Sequence, residues 1–144
     1  SHIHTLLQNT DVEKIYHGYV FGGPEGESGI IDAPIARRPL PSLLRFVCEE
    51  GKPSVTEYRV LERADGVTKL ALRPVTGRTH QLRVHCAYMG YPILGDPQYG
   101  SPESAAYSEQ FGYTYQRLCA KRVSFTHPIT GEKLTITTQM TAEA

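Results

Sequence analysis

The sequence predicts an α+β fold in which a mixed, mostly antiparallel β-sheet packs against a buried helix. Two neighbouring stretches alternate apolar and polar residues on either side of a tight turn, which is the pattern of a β-hairpin. A third stretch is apolar on almost every side and ends at a glycine, which is the pattern of a buried helix. The 144 residues suit one domain with a hydrophobic core of its own.

The hairpin is predicted from residues Ser54–Arg63 and Val67–Arg73, where apolar and β-branched residues alternate with polar ones. The residues between them, Ala64–Gly66, end in a glycine suited to positive φ. The strands predicted outside the hairpin are Lys14–Phe21, Ile30–Ile35 with a break at Pro34, Lys121–Phe125 and Leu134–Thr138. Residues 94–106 are predicted to be a loop, and residues 36–50 show no clear pattern.

The helix is predicted over Thr79–Met89. Gly90 stands where a C′ glycine is expected, and Pro92 prevents the helix from continuing. Thr76 or Thr79 is expected to cap its N-terminus. Because polar groups in a buried helix need partners, four side chains require an explanation: His80, Gln81, Arg83 and His85.

Charge, cysteine content and hydropathy narrow the class of protein. The formal net charge is zero, so overall charge does not favour a nucleic-acid partner, although arginines cluster locally. The three cysteines, Cys48, Cys86 and Cys119, lie far apart, which predicts free thiols in a reducing compartment such as the cytoplasm. No apolar run is long enough to cross a bilayer, so no membrane partner is predicted.

The start of the predicted helix has the composition of an anion site. Thr76 and Gly77 turn the chain into the helix N-terminus, where backbone N–H groups favour negative charge. Arg78 lies at the mouth of this site, and its planar guanidinium suits a pair of phosphate oxygens.

Arg83 lies one turn further along, and a buried guanidinium must be paired, because removing one partner of a buried pair costs about 3–5 kcal/mol. The helix contains no acidic residue. The partner therefore comes from elsewhere, either a catalytic carboxylate or a structural glutamate such as Glu57 or Glu62.

Other chemistries fit less well. No metal site is predicted, because His80 and His85 are five residues apart instead of the four in HExxH. Both histidines also fit as hydrogen-bonded core residues. Cys86 lies on the apolar face of the helix, where its thiolate is disfavoured, so it is not predicted to be a nucleophile.

The stretch TGRTHQLRVHCAYMGYPILGDPQYG, which begins at Thr76, resembles the signature of the RluA-type family of RNA pseudouridine synthases. Shorter motifs of the family recur in order: Lys14–Tyr16 (K-x-Y), Gly29–Ile35 (G-x-I-D-x-P-I), Gly51–Thr56 (G-K-x-x-x-T) and Phe125–Pro128 (F-x-H-P). The resemblance covers residues 12 to 139.

The resemblance implies a reaction and a set of site residues. In this family an Asp of an H-R-L-D motif attacks uridine, and the base detaches, turns over and is rejoined through C5, without a cofactor. The resemblance implies that Arg83 pairs with that Asp, that Tyr16 stacks on or acts at the flipped base, and that Leu82 packs the pocket. Arg78, His80 and Gln81 are expected to bind the RNA, which is ribosomal or transfer RNA.

The sequence departs from the family at one decisive point, since it contains no H-R-L-D motif. The nucleophilic Asp is therefore expected to lie outside it, and residues 1–144 are expected to be the C-terminal portion of a catalytic domain that is inactive alone. Asp96 matches the family's G-D turn, where a structural role is expected, and Cys119 stands where a histidine is usual. An exposed sheet edge is expected to favour self-association.

Two further functions stay open at this point. One is a non-catalytic RNA-binding module with the same fold, and the other is a small β-rich interaction domain without a nucleic-acid partner.

Overall fold

The computed structural model describes residues 12–126 and 133–137. Six strands form one antiparallel sheet in the order β2-β5-β6-β1-β7-β8, and two short strands, β3 and β4, pair separately. The strands are β1 Val12–Phe21, β2 Ser28–Asp32, β3 Ile35–Arg37, β4 Arg45–Val47, β5 Val55–Ala64, β6 Val67–Pro74, β7 Leu118–Thr126 and β8 Lys133–Thr137. The helices are α1 Gln81–Tyr88 and α2 Pro102–Gln110. The α+β prediction is confirmed.

The predicted hairpin is formed by β5 and β6. Ala64 pairs with Val67, which leaves Asp65 and Gly66 as the two residues of the turn. Their φ angles are 51° and 78°. Positive φ at both positions is the geometry of a type I′ turn, whose twist matches that of the flanking strands. The short local pattern was therefore sufficient to predict this element.

Helix α1 packs on the sheet through a small apolar core. The fully or nearly fully buried residues of this core are Val20, Leu70, Leu72, Leu82, Cys86 and Ile93. The alternation along β6 explains how the sheet contributes to this core, because Leu70 and Leu72 are buried on the helix side while Ala71 between them is only partly buried. Each side chain of this size contributes about 1.5–3 kcal/mol when fully buried.

The predicted start of the helix was wrong. Its first helical residue is Gln81, and the N-cap is His80, which adopts a left-handed conformation with φ of 57° and makes no side-chain capping bond. Neither Thr76 nor Thr79 is the cap, because Thr76 instead bonds the Gln81 side chain and the Val55 N–H. The predicted end is confirmed, since Gly90 has φ of 93°.

Helix α2 was not predicted, and the assignment of residues 94–106 as a loop was wrong in its second half. Ser101 caps the helix by accepting the Ser104 N–H, and Pro102 occupies the first turn. The buried residues of α2 are Ser104 and Ser108. An amphipathic pattern is absent because the inward face of this helix is built from small polar side chains.

Residues 36–50, for which the sequence predicts no element, hold β4 and all of β3 except Ile35. The break predicted at Pro34 separates β2 from β3. The predicted turn between the last two strands begins at His127, which lies outside the described residues, as does part of the predicted F-x-H-P motif. Within the part of the chain that is described, no helix is long and apolar enough to cross a membrane.

Candidate active site around Arg83

Arg83 of α1 is buried, with 8% of its surface exposed, and it is held by a carboxylate. Its Nε donates to Asp96 Oδ2 at 2.9 Å, and Nη2 donates to Asp96 Oδ1 at 2.8 Å. Nη2 also donates to Gln98 Oε1 at 2.8 Å. The guanidinium carbon lies 5.0 Å from the centre of the Tyr99 ring, within range of a cation–π contact. The hydrogen bond and charge of Asp96 raise the pKa of Arg83.

The second amino group of Arg83, Nη1, has a different environment. Among residues 12–126 and 133–137, no hydrogen bond connects Nη1 to a protein atom. In the same part of the chain, the one buried side-chain nitrogen or oxygen without a partner is His17 Nδ1. Nη1 therefore reaches solvent. A buried arginine here keeps one pair of N–H donors available at the surface.

Asp96 is held by backbone N–H groups as well as by the arginine. Its side chain has no exposed surface. Its Oδ1 accepts the backbone N–H groups of Gln98 at 3.0 Å and Tyr99 at 3.1 Å. Burial alone raises the pKa of Asp96, but the bonds from Arg83 and from the two N–H groups outweigh it and hold the pKa below its usual range.

The turn that carries Asp96 depends on Gly95. Gly95 has φ of 76°, and a Cβ at this position would lie 1.9 Å from the Tyr115 carbonyl oxygen. Its N–H donates to the Ser108 hydroxyl of α2 at 2.9 Å. The helix that the sequence did not reveal therefore supports the turn that holds Arg83.

The glutamates suggested as structural partners of Arg83 are not bonded to it. Glu57 is paired with Arg73 across the β5–β6 hairpin, and Glu62 is exposed. The sequence predicts the turn that contains Asp96 but not the contact of Asp96 with Arg83.

His80 lies beside the same cluster through Tyr99. The Tyr99 hydroxyl is 2.7 Å from His80 Nδ1 and accepts the Arg45 N–H at 3.0 Å. Burial, followed by the charges of Arg83 and Arg45, lowers the pKa of His80, so the ring is neutral at pH 7. With Nδ1 accepting from the tyrosine, the proton is on Nε2, which has no bonded partner among the described residues. His80 thus offers a hydrogen-bond donor next to the arginine.

Gln81 is used internally. Its side chain is buried, Nε2 donates to Val55 O at 2.8 Å and to Thr56 Oγ1 at 2.9 Å, and Oε1 accepts from Thr76 Oγ1 at 2.6 Å and from the Arg78 N–H at 3.0 Å. An amide has two donors and two acceptor positions, so every one is occupied. In this arrangement Gln81 holds the loop and has no group left for direct contact with RNA.

His85 continues this network into the core. Its Nε2 lies 2.9 Å from the Ala33 carbonyl, which accepts only, so Nε2 carries the proton. Its Nδ1 then accepts from the Thr56 hydroxyl at 2.8 Å. Burial lowers the pKa of His85 and keeps the ring neutral. The interpretation of His85 as a hydrogen-bonded core histidine is confirmed.

The remaining predicted site residues lie just before α1, within α1 and on β1. Arg78 is half-buried, and its Nε donates to Pro53 O at 3.1 Å, which leaves the other N–H groups of the guanidinium for another partner. Leu82 belongs to the apolar core, and Tyr16 of β1 packs against that same core. Cys86 is fully buried, and burial raises the pKa of its thiol to about 12, which excludes it as a nucleophile at neutral pH.

Comparison with known proteins identifies the family. A family model described as RNA pseudouridylate synthase matches residues 1–88. The chain belongs to this family. Ribosomal large subunit pseudouridine synthase C of Vibrio cholerae is 39% identical over 135 residues, which cover 94% of this chain and 42% of that protein. Synthase D of the same organism is 42% identical, covering 89% of this chain and 41% of that protein.

A solved structure supports the same assignment. Human RNA pseudouridylate synthase domain containing 1 superposes with a TM-score of 0.75 at 31% identity, over 90% of this chain and 55% of that one. The chain thus spans less than half the length of the curated pseudouridine synthases it matches and about half of this structure. The family predicted from the motifs is confirmed.

Proposed function

We propose that this chain is the C-terminal portion of the catalytic domain of an RNA pseudouridine synthase, which isomerises uridine to pseudouridine in structured RNA. The proposal rests on the burial and the hydrogen bonding of Arg83. It is buried and fixed on one side, while its Nη1 group stays open to a further anion. An enzyme that uses an aspartate nucleophile needs such a cation to keep the carboxylate ionised and oriented.

The nucleophile itself is proposed to be an aspartate from a segment that is not part of this sequence. No H-R-L-D motif occurs among its 144 residues. Asp96 is unsuited to the task, because both of its oxygens are bonded and its side chain has no exposed surface. On this proposal the 144 residues alone make no pseudouridine.

The flipped base is proposed to lie between Tyr16 and the start of α1. Tyr16 is partly exposed at the edge of the apolar core that contains Leu82. An aromatic face next to apolar side chains suits a base that has left its stack. Tyr16 and Leu82 would receive the base, and Arg83 would position the carboxylate that attacks it.

RNA phosphates are proposed to bind at Arg78 and His80, which flank the start of α1. Arg78 retains free N–H groups on a planar guanidinium, and His80 presents its Nε2 proton. Gln81 contributes by fixing the Arg78 backbone. The two curated relatives from Vibrio cholerae are named ribosomal large subunit pseudouridine synthases, so we propose ribosomal RNA rather than transfer RNA as the substrate, in the cytoplasm.

The test is conversion of uridine by the full-length protein. Purified protein is incubated with large-subunit ribosomal RNA or a transfer RNA transcript, and pseudouridine is measured by mass spectrometry. We expect conversion in ribosomal RNA, loss of turnover in Arg83→Lys, which lacks the planar fork, and weaker RNA binding with little change in kcat in Arg78→Ala. RNA binding without any conversion would instead identify a non-catalytic RNA-binding module.

A further inference from the structure

We infer that Asp96, together with Gln98, is a positioning residue for the isomerisation, which orients Arg83 so that only its Nη1 group meets the nucleophilic carboxylate. This inference rests on the proposed function. Asp96 does not touch substrate on this view. It acts through the arginine, and the arginine acts on the nucleophile.

The guanidinium of Arg83 has five N–H groups, and only some of them have partners within the chain. Three are occupied within the chain, two by Asp96 and one by Gln98. The two on Nη1 remain and are accessible to solvent. A carboxylate that arrives from outside can therefore bond to Arg83 at Nη1 only, since the bidentate edge formed by Nε and Nη2 is already taken.

The residues that hold the guanidinium, Asp96 and Tyr99, are themselves fixed by hydrogen bonds. Asp96 is bonded by two backbone N–H groups, those of Gln98 and Tyr99, in addition to the arginine. Tyr99 covers the flat face of the guanidinium and is itself bonded to His80. The plane of the guanidinium and its rotation within that plane are both fixed before any partner binds.

The charge of Asp96 also supports this role. Asp96 neutralises the buried arginine in the absence of a nucleophile, so the site carries no uncompensated buried charge when it is empty. A second carboxylate bonded at Nη1 then interacts with a guanidinium whose positive charge is already partly balanced by Asp96. This arrangement holds the nucleophile in place without binding it as tightly as an isolated arginine would.

The experiment uses the full-length protein and compares Asp96→Asn with Ser108→Ala. Asparagine keeps the size of the side chain but places an NH2 group against an N–H donor of Arg83. Ser108→Ala removes the bond from the Gly95 N–H to the Ser108 hydroxyl and the bond from that hydroxyl to the Ser104 carbonyl, without touching Arg83 or Asp96. We expect Asp96→Asn to lower kcat on the order of 100-fold, because small displacements of a catalytic group have effects of this size. We expect Ser108→Ala to change kcat less than about 3-fold, with KM for RNA near the wild-type value in both.

A milder variant keeps the test decisive if Asp96→Asn does not fold. Gln98 is exposed, so Gln98→Leu removes one bond to Arg83 without disturbing the core. We expect kcat to fall several-fold with an unchanged melting temperature and unchanged RNA affinity.

Three outcomes are informative. Wild-type activity in Gln98→Leu together with an equal loss of kcat in Asp96→Asn and Ser108→Ala would overturn the inference, because the effect would then belong to the turn. An active wild type with an inactive Arg83→Lys and an active Asp96→Asn would also overturn it while leaving the proposed function intact. A full-length protein that converts no uridine would overturn both.

Discussion

The buried amide of Gln81 gives a direct test of how the start of α1 is held. Replacing Gln81 with leucine keeps a similar volume but removes all four hydrogen bonds of the side chain. The net contribution of such a bond is about 1 kcal/mol, so we expect a loss of about 4 kcal/mol in the free energy of unfolding. Since domains are stable by only about 5–15 kcal/mol, this is a large share of the total.

The measurement is urea unfolding of the full-length protein at pH 7, comparing wild type, Gln81→Leu and Thr79→Ala. Thr79 is exposed and lies two residues away, so its truncation is expected to change stability by less than about 0.5 kcal/mol. The midpoint for Gln81→Leu should fall with an unchanged slope. A loss below about 1 kcal/mol would refute the view that the amide network holds this loop.

The same variants decide between two roles for Gln81. The sequence suggested direct contact with RNA, whereas the structure leaves the amide no free donor or acceptor. If the sequence-based prediction is right, Gln81→Leu weakens RNA binding without affecting stability. If the amide is used only within the protein, Gln81→Leu lowers the free energy of unfolding, and RNA affinity measured well below the melting temperature changes little.

Three further predictions follow from the burial and charge of single residues. Burial lowers the pKa of His85, so the unfolded chain binds a proton that the folded chain does not. Stability should therefore fall as pH drops below about 6.5, and His85→Gln should reduce this fall in urea titrations from pH 8 to pH 5, with part of it remaining because the pKa of His80 is lowered as well. The Cys86 thiol, with a pKa of about 12, should resist iodoacetamide at pH 8 in the folded protein and react after denaturation, as read by mass spectrometry. Arg78→Ala should reduce the salt dependence of RNA affinity by about one phosphate contact, and an unchanged slope would remove Arg78 from the RNA interface.

Local patterns in the sequence were sufficient for the β5–β6 hairpin and for the end of α1. Alternation over the two strands, with Asp65 and Gly66 at the turn, involves contacts between residues close in the chain. The C′ glycine at Gly90 is also a local feature. Such elements are specified by neighbouring residues, so the sequence alone predicts them.

Helix α2 and the partner of Arg83 could not be obtained in the same way. The inward face of α2 consists of Ser104 and Ser108, which bond to the helix backbone and to the Gly95 turn, so the hydrophobic period is missing. A signal was present in Ser101-Pro102, which is a common start of a helix. The contact between Arg83 and Asp96 depends on how a loop folds back on a helix, and no local pattern encodes that.

The Arg83–Asp96 pair also bears on the order of folding. The two residues are 13 apart in the chain, so closing the loop between them costs less entropy than closing the larger loops that join the outer strands of the sheet. We expect this contact to be present in the folding transition state, with Asp96→Asn slowing folding more than it speeds unfolding. The cation would then be oriented early, and the sheet would assemble around a site that is already formed.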